Sequence, residues 1–119
     1  MILVDTSLWI EHLRSGHAGL IEILNQAQVI THSFVIGELS CGNLKNRKEI
    51  LSLLCLLPTA KEAEYFEVME MIESHRLFGR GLGWVDMNIL ASCLLSNAEL
   101  WTLDKTLRTT AASLGISII

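Results

Sequence analysis

The sequence predicts an α/β fold with a mostly parallel central sheet, and two observations carry that prediction. Short apolar runs alternate with segments of helical period, the pattern expected of strands joined by crossover helices. Each of the three aspartates, Asp5 in MILVDTS, Asp86 in GWVDMN and Asp104 in LWTLDKT, also stands where an apolar segment gives way to a predicted helix. Open parallel sheets place their ligand sites at the carboxyl ends of the strands.

The first predicted strand is Ile2 to Val4, followed by a helix over Ser7 to Arg14 with Leu8, Ile10 and Leu13 apolar. Gly16 and Gly19 bracket the next turn. Val29 to Thr31 is a short second strand, and Ser33 is placed to cap a helix over Phe34 to Cys41 that carries Glu38 and stops at Gly42. Arg47 to Leu54 is another helix, closed by Pro58. The run Thr59-Ala60-Lys61-Glu62 matches a capping box, so a long helix is expected from there to about Arg76. Glu62, Glu67, Glu70 and Glu73 should face solvent, with Phe66, Met69 and Ile72 inward. Gly79, Gly81 and Gly83 form a loop around Arg80, and Trp84 to Ser96, apolar on nearly every side except Asp86 and Asn88, reads as a central helix. Leu100 to Leu103 is the next strand, Lys105 to Leu114 the last helix and Ile116 to Ile119 a short terminal strand.

A chain of 119 residues fits one domain, spanning 1–119. Half of it is hydrophobic and the mean hydropathy is +0.42, high enough to expect a partner over part of the surface. Its apolar runs fall short of the roughly 20 residues a membrane-spanning helix needs, and no signal peptide opens the chain. Cys41, Cys55 and Cys93 lack the spacing of a zinc or redox motif and read as small core residues of a cytoplasmic protein. The formal charge of −4 disfavours gripping nucleic acid through the overall field, so any RNA contact must be local.

Aspartate is a favoured helix N-cap, and capping alone accounts for any one of the three. All three at such positions, with Glu38 in the otherwise apolar SFVIGELSCG, form a pattern that capping explains less well. An ionised carboxylate in an apolar setting pairs, binds a metal or takes a proton. Hard oxygen ligands of this kind suit Mg²⁺ or Mn²⁺, and the chemistry that follows is hydrolysis of a phosphodiester.

VDTSLWIEHLR, SFVIGELSCG, GRGLGWVDMNILAS and LWTLDKTLRTTAASLG together resemble, in order and spacing, the four motifs of the PIN-domain ribonucleases, and within them the VapC toxins of toxin–antitoxin pairs. The resemblance covers nearly the whole chain. It implies a three-layer α/β/α fold and an acidic site of Asp5, Glu38, Asp86 and Asp104, with Asp5 and Asp86 as the direct metal ligands and Thr6 supporting Asp5. It also implies a homodimer, an RNA substrate and a VapB-like antitoxin over the active-site groove. Asn88 departs from the family's commoner small residue or His.

Among other residues, Arg80 is a weak candidate for an RNA phosphate. Trp9, Trp84 and Trp101 read as packing, the four histidines lack metal-ligand spacing, and Ser7 and Ser92 lack a nucleophile motif. Two rival classes remain. A receiver-type phosphoacceptor domain needs an aspartate near mid-chain, and none lies between Asp5 and Asp86. A catalytically silent PIN-like binding module would have no need of intact acids.

Overall fold

The computed structural model describes all 119 residues. Strands β1 (Ile2–Val4), β2 (Val29–Ile30) and β3 (Glu99–Trp101) form a parallel sheet in the order β2-β1-β3. The central strand β1 is wholly buried, consistent with its lack of alternation. Single parallel bridges extend the sheet at both edges, Thr31 with Thr59 and Leu100 with Ile118. The predicted terminal strand is therefore reduced to one bridge.

Seven helices surround the sheet: α1 (Thr6–Ser15), α2 (Ala18–Asn25), α3 (Ser33–Ser40), α4 (Arg47–Leu54), α5 (Tyr65–Ser74), α6 (Trp84–Ser96) and α7 (Lys105–Ser113). Helix α6 is the spine of the fold, since Met87 through Cys93 are buried without interruption. A helix buried on all sides has no amphipathic stripe, which is why its sequence is apolar all round.

Several expectations are corrected. Helix α2 occupies the stretch read as a turn. Its Gly19 is small because Trp101 lies against it: a Cβ there would stand 2.9 Å from the indole. Thr59 and Ala60 start no helix; they pair with β2, with Ala60 N–H donating to Thr31 O at 2.8 Å. The capping box lies further on, where Glu67 Oε1 accepts the Glu64 N–H at 2.8 Å. That shift turns the helix, so Val68 and Met71 are buried while Phe66 and Met69 are exposed. Glu62, off the helix, accepts from the Ser33 hydroxyl at 2.8 Å. His32, not Ser33, caps α3 by accepting the Phe34 N–H. Cys41 and Cys55 are exposed and only Cys93 is buried. Trp9 is core, but Trp84 is exposed beside Tyr65.

Candidate functional site

The site is built where β1 and β3 end and α1, α6 and α7 begin. Because β1 and β3 are parallel neighbours with Val4 opposite Trp101, their carboxyl ends lie side by side. The next residues, Asp5 and Thr102, are thereby brought together. Asp5 is buried. Its Oδ2 accepts hydrogen bonds from Thr102 Oγ1 at 2.7 Å and Ser7 Oγ at 2.9 Å. Each hydroxyl is itself fixed by a backbone donor: Asp104 N–H donates to Thr102 Oγ1 and Leu103 N–H to Ser7 Oγ, both at 3.0 Å. The turn after β3 and the first turn of α1 thus hold one carboxylate in a single orientation. Arg108 braces the same turn by donating to the Thr102 carbonyl at 2.8 Å.

Asp86 sits in the first turn of α6, where its Oδ2 accepts the Gly83 N–H at 3.1 Å. Burial raises its pKa above the ordinary carboxylate value and the Gly83 hydrogen bond opposes that rise, while the charges of Asp5, Asp104 and Glu38 add to it. The four acids therefore share one electrostatic field, although they come from four separate segments. Cys93 lies in the same field: burial, with a contribution from Asp5, pushes its thiol up to about 12, which keeps it protonated and unreactive. Asp104 caps α7 through Oδ1, which accepts the Leu107 N–H at 3.0 Å. Glu38 is exposed on α3, and its Oε1 accepts from the Thr6 hydroxyl at 2.7 Å.

A common arrangement emerges. Each of the four carboxylates has one oxygen held by hydrogen bonds from the chain: Asp5 Oδ2, Glu38 Oε1, Asp86 Oδ2 and Asp104 Oδ1. Each has its second oxygen free of intramolecular partners. Capping and ligation are therefore not exclusive for Asp104 or Asp86. No three His, Cys, Asp or Glu side chains are drawn together tightly enough to cage an ion unaided. Mg²⁺ does not require a cage; it typically takes one or two carboxylates and keeps several waters. An oxygen-only donor set with four free oxygens fits such a cation.

Thr6 is a correction: it holds Glu38 rather than Asp5. The residues that do hold Asp5, Ser7 and Thr102, were not singled out for that role by sequence, nor was Arg108. Thr102 lies 97 residues from Asp5, beyond any local pattern, whereas Ser7 is only two residues away and its local bond to Asp5 was the one signal available. Asn88 is buried and donates to Trp84 O on its own helix at 2.9 Å. Arg80 is exposed in the glycine loop before α6. Glu38 and Asp104 are exposed and Asp86 is half-buried, so the site opens to solvent on the side of those three acids.

The PIN domain family matches residues 2–113. Ribonuclease VapC32 of Mycobacterium tuberculosis is 44% identical over 119 residues, covering 99% of this chain and 96% of that protein. Among solved structures, VapBC-1 from nontypeable Haemophilus influenzae superposes with a TM-score of 0.74 at 17% identity, over 100% of this chain and 97% of the other. VapBC2 from Rickettsia felis, bound to a DNA fragment from its promoter, superposes with a TM-score of 0.70 at 16% identity, over 100% and 98%. A match along nearly the full length, with the acids gathered at the strand ends, places the chain: it belongs to the PIN-domain family, among the VapC proteins.

Proposed function

We infer that this protein is a metal-dependent endoribonuclease, the toxin of a VapBC-type toxin–antitoxin pair. One observation carries the reading: four carboxylates in one field, each anchored through one oxygen and open at the other. Its resemblance to Ribonuclease VapC32 supports RNA as the substrate. Asp5 and Asp86, the two least exposed of the four, are the direct holders of Mg²⁺ or Mn²⁺. A divalent cation held by these two carboxylates would supply a water of lowered pKa and charge neutralisation at the phosphate. Asp5 Oδ1 is pre-aimed because Ser7 and Thr102 fix Oδ2. Glu38 and Asp104, both exposed, orient water through their free oxygens. Ser7 is no nucleophile, since its hydroxyl is committed to Asp5 and the Leu103 N–H. Attack by water leaves 5′-phosphate and 3′-hydroxyl ends.

Two apolar surfaces support two partners. A cleft of about 190 Å³ between α1, α2 and α4, lined by Trp9, Leu13, Leu24, Ile50 and Leu53 among others, suits the apolar face of a VapB-like antitoxin helix. Basic side chains of that antitoxin then reach toward the acids. Tyr65, Phe66 and Met69 on α5, with Trp84, Leu94 and Leu95 on α6, form an exposed apolar face suited to a second copy. No helix is long and apolar enough to cross a membrane, consistent with action in the cytoplasm, where RNA is.

The test is cleavage of single-stranded RNA by the purified chain in Mg²⁺ or Mn²⁺, with and without EDTA, followed by sequencing of the new ends. Cleavage stopped by EDTA, absent in Asp86→Asn and leaving 5′-phosphates is expected. A 2′,3′-cyclic phosphate would point to attack by the ribose hydroxyl and refute the mechanism.

A further inference from the structure

An acid protein that cuts RNA faces a repulsion problem, because the four carboxylates that serve the chemistry also repel the phosphates of the strand. The structure holds a local remedy. Next to Asp104, between the glycine loop before α6 and the first turns of α7, lies a cleft of about 350 Å³ lined by Arg80, Lys105, Thr106, Thr109 and Thr110 and by no apolar residue. Lys105 directly follows Asp104, so the cleft borders the acidic site. The side chains of Arg80 and Lys105 hold no carbonyl or carboxylate of the chain, in contrast to Arg47 and Arg108, which donate to Ser40 O and Thr102 O. Thr106, exposed in the first turn of α7, has a hydroxyl with no partner in the chain, while Thr110 is buried and forms the floor of the cleft. Thr109 is committed, donating to Lys105 O at 2.9 Å. Only nine Lys and Arg occur in the chain, and two of them line this one polar cleft. Uncommitted cations beside an uncommitted hydroxyl are the donor set that binds a nucleic-acid phosphate.

We propose that this cleft receives a backbone phosphate of the RNA strand adjoining the bond that is cut. Arg80 and Lys105 pair with its non-bridging oxygens, and the exposed Thr106 hydroxyl completes the contact. The inference rests on the ribonuclease reading. It identifies the strand's path across the site as running from the acids over the start of α7. Such contacts fix register and add affinity without reading sequence.

The experiment separates the two claims by measuring binding on the Asp86→Asn background, where cleavage is removed. Fluorescence anisotropy of a labelled single-stranded oligoribonucleotide is followed from 50 to 200 mM salt in Mg²⁺. Arg80→Ala with Lys105→Ala should weaken binding about tenfold or more, since two charge-assisted contacts are lost. The slope of log affinity against log salt should shrink by about 0.7, the share of one phosphate on a single strand. Lys48→Ala, exposed on α4, changes net charge without touching the cleft and should have little effect on either. In the Asp86-containing protein the double variant should raise KM with kcat largely kept. If the double variant binds like Lys48→Ala, the cleft is refuted while the ribonuclease reading stands. If the Asp86→Asn parent binds no RNA, both fall.

Discussion

Asp5 is 6% exposed, yet both hydrogen bonds on Oδ2 come from hydroxyls whose own acceptor sites are filled by backbone N–H groups. That chain of donors fixes the direction of the carboxylate. Removing either hydroxyl, by Ser7→Ala or Thr102→Val, should lower metal affinity about 10- to 100-fold while leaving the ligands in place. The midpoint of Mg²⁺ activation of cleavage reads this; an unchanged midpoint would show that Asp5 needs no support. Asp86 is penalised by burial. Its folded pKa is raised above the unfolded value, so the folded state favours the protonated form, and that stability is present at low pH and lost as pH rises through the folded pKa. At neutral pH Asp86→Asn removes the penalty and can still accept from Gly83. Its melting temperature in metal-free buffer should equal or exceed that of the wild type; a clear drop would mean the carboxylate is structural. His32 has the other sign. Burial lowers its pKa, with Glu62 opposing, while Nδ1 accepts the Phe34 N–H and Nε2 is buried without a partner. Stability should hold above about 6.5, the ordinary histidine value, and fall as pH drops below it toward the folded pKa. His32→Asn, which can still cap α3, should flatten that decline in thermal melts between pH 5 and 8. At this scale the acids were legible in sequence because helix starts and apolar context are local signals. Their supports were not, because Thr102 meets Asp5 only through the sheet.

Among the elements, α6 has the longest uninterrupted buried run, Met87 to Cys93. Leu90 is fully buried at its centre. Leu90→Ala should cost about 2 to 5 kcal/mol through lost burial and the cavity left behind, measured by denaturant unfolding. Leu94→Ala, one turn on but exposed, should change monomer stability little. The strands and α1, α3, α4, α6 and α7 were readable from periodicity, within a residue or two at their ends. The expected terminal strand Ile116 to Ile119 forms only one bridge, and two further stretches were misread. Helix α2 contains a glycine that tertiary packing demands, because Trp101 occupies the space of its Cβ, and a glycine in sequence reads as a turn. The segment from Pro58 to Ala60 carries a capping signature, but pairing with β2 satisfies its backbone and wins over helix formation. Glu62 then serves α3 across 29 residues instead of starting α5.

At the level of the whole molecule, a −4 chain that exposes Leu56, Tyr65, Phe66 and Phe78 has apolar surface available to the partners proposed above. Expressed by itself it should arrest growth, while the Asp86→Asn form or co-expression of an adjacent small antitoxin should restore growth. Normal growth with the wild type alone, together with no RNA cleavage in vitro, would favour a silent binding module. On the proposed mechanism, all of these behaviours require the four acids from four segments to act as a single cation site. Titration calorimetry of Mn²⁺ into the purified chain, without RNA or antitoxin, tests that directly. The account predicts saturable binding that is lost in Asp5→Asn and Asp86→Asn and weakened less in Asp104→Asn. Identical Mn²⁺ isotherms for the wild type and Asp86→Asn would contradict it.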